Sequence, residues 1–560
     1  MSETRGAAMG ETTAARLVAE RLRAAGCRSV FGVPGGEVLA VMDALEAAGV
    51  AFTLVKHENA GGFMAEGAHH AAALEGDGDR IPGVLLATIG PGLANAVNTA
   101  ANALQEQTPL IIISGSVGPS EAATYTHQVL DQSALMREAV KASLSLADGA
   151  VDVLIDRAVA IATSDPMGPV HVDLPVSLAT KPQPPARRYR AAPAAPTAPA
   201  EGAALEAARR RIAGAERPVI LAGLGAMQAD IGAPLRAFAE RWGAPVITTY
   251  KAKGVIDETH PLALGGHGLS PKSDRLLAPV LSEADCVLSV GYDPIEMRAG
   301  WIDPFPPERH VELTHAAALH GMHGAAVSFV GDLAAALGAL APAADRGTQG
   351  APAPAPWPNG APEAARAALA DAFAEPAVWG PHQVFGAARR AAPAETIATA
   401  DSGAHRILMS QMWRCRAPRT LLQSSAFCTM GVALPLAMGV KRAAPERPVL
   451  AVMGDAGLEM VLGELATLRD WGVGGFCVLV LADESLALIA LKQDKAGYAP
   501  VGVDFGDTDW PAVAQALGGH GAWADDAAGL EGALRDGFAR QDRFTLVAAR
   551  ISKTDYNDAF

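Results

Sequence analysis

Short runs that are apolar almost throughout recur along the whole chain, and each gives way to a stretch of helical periodicity. In the first third they are SVFGVP, VLLATIG and LIIISGS; in the middle PVILAG, APVITTY and CVLSVG; in the last third TIATADSG, PVLAVMGD and CVLVLAD. A strand without a polar face must be covered on both sides, and parallel strands joined by helical crossovers achieve this. The expected fold class is therefore α/β, with three doubly wound parallel-sheet domains. Two Pro/Ala-rich stretches without apolar period, residues 181–202 and 341–362, read as exposed connectors. The domains they separate are residues 10–182, 203–340 and 365–552, and the first and third have a similar rhythm.

With 560 residues, the chain is too long for one hydrophobic core. Its net charge of −15 and lack of a long basic run argue against a nucleic-acid partner. The basic triplet Arg209–Arg211 falls in a helical pattern and reads as a solvated face. No apolar run approaches the roughly 20 residues that span a bilayer. The start, MSETRGAAMGETT, lacks the basic-then-apolar order of a signal peptide, so no membrane partner is expected. Cys27, Cys286, Cys415, Cys428 and Cys477 are scattered without ligand spacing. They read as reduced thiols of a cytoplasmic protein.

In doubly wound sheets, ligands bind beyond the carboxyl ends of the strands. The run PVLAVMGDAGLEM ends a strand and turns through Gly454, Asp455, Ala456 and Gly457 into a helix. Small residues there let backbone N–H groups approach an anion at the helix N-terminus. A carboxylate beside a phosphate makes sense only with a cation between them, and Mg²⁺ suits oxygen ligands. The next buried run ends at Asp483, one strand–helix–strand crossover further on. The bland alternative is an ordinary turn with Asp455 as helix cap. In the first domain a strand ends near Lys56, and Glu58 precedes an Ala/Gly-rich helix. By position alone, that carboxylate could simply cap the helix.

These segments resemble the thiamine-diphosphate-dependent enzymes, in particular the catalytic subunits of acetolactate synthases. The resemblance rests on FGVPGGEVLAVMDAL, HENAGGFMAEG, ATIGPGLANAVNTA, ADSGAHR, SSAFCTMGVALPLAMG and the Gly-Asp-Ala-Gly turn, and it covers roughly residues 10–550. It implies that thiamine diphosphate is held through Mg²⁺ by Asp455, Asp483 and the carbonyl of Ser485. The family has an Asn pair where this chain has Ala482-Asp483, which adds a negative charge. Gly403, Ala404 and His405 match the segment that contacts the diphosphate. Cys428 matches the residue whose carbonyl meets the aminopyrimidine, and Met430 the wedge that bends the cofactor. Glu58 matches the carboxylate that hydrogen-bonds N1′ and thereby promotes loss of the C2 proton.

Gly92 and Asn95 are expected to border the pyrimidine, although Asn95 is also a plausible helix cap. Gly36, with Gly35, would let the backbone approach the reacting centre. Gln128 matches a glutamine that lines the site, and Lys141 a lysine near the substrate entrance. His127 stands where the synthases carry an aromatic residue. It is either a proton donor or carboxylate holder for substrate, or a surface loop histidine. His69 and His70 do not match the histidine pair of pyruvate decarboxylases and read as structural.

The middle domain carries a lone Gly-rich turn, GLGAMQADIG, which is a weak dinucleotide signal. Its GYDPIE segment, followed by Trp301, resembles the catabolic synthases, so FAD is not expected. The implied activity is cleavage or formation of a C–C bond next to a 2-oxo group, on a small 2-oxo acid substrate, in a homo-oligomer of at least two subunits with each active site shared between subunits. Three readings stay open: a decarboxylating carboligase like acetolactate synthase, a decarboxylase or C–C lyase or hydrolase with another substrate, and a non-catalytic protein with a degenerate site. An intact Glu58 argues against the third.

Overall fold

The computed structural model describes residues 12–76, 80–186, 195–317, 320–341 and 357–560. All nine apolar runs fold as strands. The first sheet contains β1 (Ser29–Gly32), β2 (Ala51–Leu54), β3 (Gly83–Ala87), β4 (Leu110–Ser116), β5 (Ala142–Ser145) and β6 (Pro169–Pro175). The second contains β7 (Pro218–Ala222), β8 (Val246–Thr249), β9 (Ala263–His267), β10 (Cys286–Val290), β11 (His310–Thr314) and β12 (Val327–Val330). The third contains β13 (Ile397–Ala400), β14 (Leu421–Gln423), β15 (Val449–Gly454), β16 (Phe476–Ala482), β17 (His520–Ala524) and β18 (Thr545–Arg550). The chain is thus α/β, with three parallel six-stranded sheets and flanking helices.

The strand orders are β2-β1-β3-β4-β6-β5, β12-β11-β10-β7-β8-β9 and β14-β13-β15-β16-β18-β17. The first and third are the same order shifted along the chain, which accounts for their similar rhythm. The middle sheet has the order of two mononucleotide-binding halves. In the first sheet the direction of winding reverses between β1 and β3, and in the third between β13 and β15. Those crevices are where a ligand is expected.

The apolar runs are buried because alternate residues feed opposite faces. In the middle sheet Ile220, Val246, Leu288 and Val311 join one core. Their neighbours Val219, Leu221, Ile247 and Val287 join another on the far side. Each sheet therefore needs helices on both faces.

Two compact units emerge, one containing β1–β6 with residues 438–445, the other containing β7–β18. Parts of the two proposed connectors, residues 187–194 and 342–356, lie outside the described residues. Their described ends are not loose. Gln183 is buried and accepts from Gly149 N at 2.8 Å through its side chain. Trp357 corrects the second connector: its indole is buried in the middle-sheet core and donates to Pro218 O at 3.1 Å. The helix Ala361–Ala372 that follows also places Ala365 in that core. An indole has too much apolar surface to leave in a solvated linker. Among the described residues, no helix is long and apolar enough to cross a membrane.

Candidate active site

In the first unit, Glu58 is the first residue of the helix Glu58–Leu74 and is buried. It does not cap that helix: the cap is His57, whose ring accepts from Asn59 N at 3.2 Å. Glu58 is aimed instead at the turn after β3, where Asn95 Nδ2 donates to its Oε2 at 2.9 Å. Asn95 is therefore not a cap either; the helix Val97–Gln105 has Ala96 at that position. A Cβ on Gly92 would stand 3.1 Å from Glu58 Oε1 and 2.7 Å from Thr88 Cγ2, so glycine keeps the carboxylate's surroundings open. Glu58, Gly92 and Asn95 thus meet as one cluster at the reversal between β1 and β3. The other side of that crevice is the turn after β1. A Cβ on Gly35 would press on Thr88, whereas nothing lies within 4 Å of where one on Gly36 would stand.

Beside this cluster is a cavity of about 430 Å³ lined by Glu37, Ile89, Glu121, Tyr125, His127 and Gln128, among others. His127 packs edge-on against Tyr125, and Gln128 adopts a left-handed backbone (φ 59°). Its carbonyl would lie 2.5 Å from a Cβ on Gly90, itself at φ 67°. Two further residues organise this region and were not singled out in the sequence. Gln132, buried, accepts from Gly90 N (2.8 Å) and donates to Gly115 O (3.1 Å) and Asp173 Oδ1 (2.5 Å). It ties together the ends of β3, β4 and β6. Glu37 accepts from Thr88 Oγ1 at 2.6 Å.

Lys141 is a correction. It immediately precedes β5, at the opposite end of the sheet from the cavity, and its ammonium donates to Ile161 O (2.7 Å), Ser164 O (2.6 Å) and Pro166 O (2.6 Å). Burial lowers its pKa, with nearby Asp165 acting the other way. It is a latch on backbone carbonyls, not a group at a substrate entrance. His69 and His70 are structural as expected: His69 pairs with Ile81 O at 2.8 Å, and His70 lies 3.7 Å from Glu66.

In the second unit, Asp455 opens the short helix Asp455–Glu459 directly after β15. It does more than cap a turn. Its Oδ2 accepts from Asp483 N (3.0 Å) and Glu484 N (2.8 Å) at the end of β16, while Oδ1 accepts from Ala456 N (2.9 Å). The register pairs Gly454 with Leu481, so the two strand ends stand side by side. Glu484 takes a left-handed conformation (φ 54°), and Asp483 Oδ1 accepts from Ser485 N at 3.1 Å. The Ser485 hydroxyl is anchored on Val503 O (3.1 Å) and Asp504 (2.7 Å).

Burial, then the neighbouring Asp455 charge, pushes Asp483 up to about 8. Burial likewise raises Asp455 despite three backbone donors. Two partly desolvated carboxylates at adjacent strand ends form an all-oxygen donor set that fits a hard divalent cation.

Beside them lie buried polar groups without protein partners. Ala404 opens the helix Ala404–Met412, with Gly403 before it in extended backbone. The buried Nε2 of His405 and the buried hydroxyls of Ser402 and Ser425 have no protein partner. Buried polar atoms without partners are costly, and oxygen atoms of a bound ligand would satisfy them. Burial pushes His405 down to about 3, so it is neutral. The loop bearing Cys428 and Met430 is folded back by a left-handed Cys428 (φ 58°), whose sulfur meets Arg406 Nη2 at 3.3 Å.

That loop hangs from Asp401, which sequence reasoning passed over although it ends β13 as Asp455 ends β15. Asp401 is fully buried and accepts from Gly431 N (3.1 Å) and Val432 N (2.9 Å). Burial pushes it up to about 6 against those bonds. A Cβ on Gly457 would fall 2.0 Å from its Oδ2, so Gly457 is glycine for packing; Gly454 has no such neighbour, its nearest being His405 Cε1 at 3.4 Å.

Comparison with known proteins matches three family models in order. Residues 12–135 match the thiamine pyrophosphate enzyme N-terminal TPP binding domain, 205–340 the central domain and 401–549 the C-terminal TPP binding domain. The chain is similar to a probable 2-ketoarginine decarboxylase of Pseudomonas aeruginosa (30% identical, spanning 96% of this chain and 94% of that protein). It is also similar to the acetolactate synthase large subunit of Parasynechococcus marenigrum (32%; 83% and 75%) and to the acetolactate synthase of Bacillus subtilis (27%; 93% and 90%).

Proposed function

Since the chain belongs to the thiamine pyrophosphate enzymes, we propose that it decarboxylates a small 2-oxo acid and passes the remaining fragment to a second carbonyl, as the acetolactate synthases it resembles do by name. The observation that carries this reading is Glu58: a buried carboxylate released from capping duty and oriented by Asn95. Thiamine diphosphate supplies the carbon nucleophile and the electron sink. Glu58 holds the proton at its N1′, and Asn95 keeps the carboxyl oxygen in line. Asp455, Asp483 and the Ser485 carbonyl hold Mg²⁺. The Gly403–His405 turn and the Gly454–Gly457 turn hold the diphosphate, and Gly92 leaves room for the ring. Cys428 and Met430 shape the cofactor. His127 and Gln128 face the substrate, with Gly36 leaving the backbone accessible there.

The same proposal takes the protein to be a cytoplasmic homo-oligomer of at least two subunits, with each active site shared between the first unit of one subunit and the second unit of another. Its support is the exposure of Tyr125 and Val176, which line the cavity, and of Val129, Leu130, Leu135, Met460, Tyr498 and Val501. Such apolar surface beside a site is suited to cover by a second copy. All five thiols are free, which suits a reducing compartment.

A second reading, decarboxylation without carboligation of a 2-oxo acid carrying a cationic side chain, is favoured by Glu37 and Glu121 in the cavity of His127 and Gln128. Two carboxylates there would attract a positive substrate end, and one relative is named for 2-ketoarginine.

The test is a substrate panel of pyruvate, longer 2-oxo acids and 2-ketoarginine, with thiamine diphosphate and Mg²⁺, with and without FAD. Acetolactate from pyruvate supports the first reading. CO₂ and an aldehyde from 2-ketoarginine alone support the second. Glu58→Gln should abolish turnover while leaving the circular dichroism spectrum unchanged; undiminished turnover refutes the mechanism.

A further inference from the structure

The middle domain contains a second cluster of ligand-type side chains, away from Asp455 and Asp483. His310 and Glu312 are two residues apart on β11, so they project from the same face of the sheet. His323 comes from the connection to β12. One ligand atom from each of His310, Glu312 and His323 lies within 4.8 Å of the others. The His310 and His323 rings are 5.1 Å apart, and the His320 ring is 4.4 Å from that of His323.

Each of the three is desolvated. His310 is fully buried, Glu312 is 5% exposed, and the His323 side chain is 2% exposed. Tyr292 stacks on His323, Phe305 packs on His310, and both aromatics belong to the apolar core on that side of the sheet.

The hydrogen bonds are those of a pre-oriented ligand set. His310 Nδ1 pairs with Gly324 O at 2.8 Å, so it carries the proton and leaves Nε2 with a lone pair, which faces Ser289 Oγ at 2.7 Å. A backbone carbonyl behind the ring is the usual support for a metal-binding histidine. Glu312 accepts from Ser328 Oγ at 2.6 Å through one oxygen and meets His323 Nε2 at 3.2 Å through the other. His323 Nδ1, His320 Nε2 and the Tyr292 hydroxyl are buried without a protein partner. A carboxylate and imidazole rings are thus enclosed together with unpartnered ring nitrogens.

We propose that His310, Glu312 and His323 form a metal site in the middle domain for a borderline divalent cation such as Zn²⁺, with water in the fourth position. Two nitrogens and one carboxylate match tetrahedral Zn²⁺, whereas the all-oxygen pair at Asp455 and Asp483 suits Mg²⁺. The site clamps β11 to the connection that leads to β12. Because its ligands lie outside the cofactor cradle, the proposal stands apart from the catalytic reading.

The test uses the full-length protein, stripped with chelator and then saturated with Mg²⁺ and thiamine diphosphate. Titration with Zn²⁺ by calorimetry should show a single equivalent per chain and a rise in unfolding temperature. His323→Ala and Glu312→Gln should each weaken that binding by at least about tenfold, and Asp455→Asn should leave it intact. Should either cluster variant fail to fold, the wild type loaded with Co²⁺ decides: intense visible absorption of a tetrahedral nitrogen–oxygen site is expected. No Zn²⁺ uptake, uptake undiminished in folded His323→Ala, uptake lost in Asp455→Asn, or the pale spectrum of hydrated Co²⁺ would each overturn the site and leave a buried hydrogen-bond network.

Discussion

Replacing Gly457 by alanine isolates the packing that suspends the loop bearing Cys428 and Met430. Its backbone lies within the short helix Asp455–Glu459, so alanine adds no conformational strain and the effect is steric. The new Cβ would fall 2.0 Å from Asp401 Oδ2 and 3.2 Å from its Cγ. The carboxylate must retreat by more than an ångström, and Oδ2 is the atom that accepts from Gly431 N. Losing a hydrogen bond to a charged group costs about 1.5–3 kcal/mol, and overpacking a filled site adds about 1–3 kcal/mol. The sum, about 2.5–6 kcal/mol, is a large share of the roughly 5–15 kcal/mol that keeps a domain folded. Gly454→Ala is the control: it meets only the His405 ring, Cε1 at 3.4 Å and Nδ1 at 3.5 Å, from an ordinary φ of −78°.

The assay is urea unfolding of both variants, together with the thiamine diphosphate concentration giving half-maximal activity. Gly457→Ala should unfold at clearly lower urea and need more cofactor, while Gly454→Ala unfolds near the wild-type midpoint. Equal midpoints for the two variants would refute the role given to Asp401.

Three further outcomes are expected. Asn95→Ala removes the donor to Glu58 Oε2; turnover should fall about 10- to 100-fold, the rate equivalent of 1.5–3 kcal/mol, in steady-state assays with saturating cofactor. Lys141→Ala should lower the unfolding temperature, read by circular dichroism, with KM and kcat unchanged, because its ammonium serves Ile161, Ser164 and Pro166. Buried His267 is held at about 4 by burial, well below its ordinary value. A histidine depressed in the folded state contributes stability that is present above about pH 6.5 and is lost as pH falls toward 4. The wild type should therefore lose about 2 kcal/mol through this group between pH 7 and pH 5. In His267→Gln the stability difference between those two pH values, from urea titrations, should shift by that amount.

The repeated apolar runs determined the fold class, because a strand with no polar face can only lie in a sheet covered on both sides. The runs ending at Ala87, Met453 and Ala482 also pointed to strand ends, where small residues and carboxylates mark a ligand crevice. Glu58, Asp455 and Asp483 were readable in this way, since each stands at a strand or helix boundary with a chemistry its position does not otherwise require. Asp401 bore the same mark at the end of β13 but lacked a glycine-rich turn of its own to draw attention.

The remaining features depend on tertiary structure. Whether Glu58 caps its helix or faces Asn95 is a question of side-chain direction, and no local pattern carries it. Lys141 was misplaced because a motif match gives position along the chain but not which end of a strand faces the site. Trp357 closes the middle core from within a Pro-rich stretch, since burying an indole outweighs local composition. Gln132 and the His310–Glu312–His323 cluster bring together residues from separate loops and strands. Such convergence arises only when β3, β4 and β6, or β11 and its connection, are packed in space.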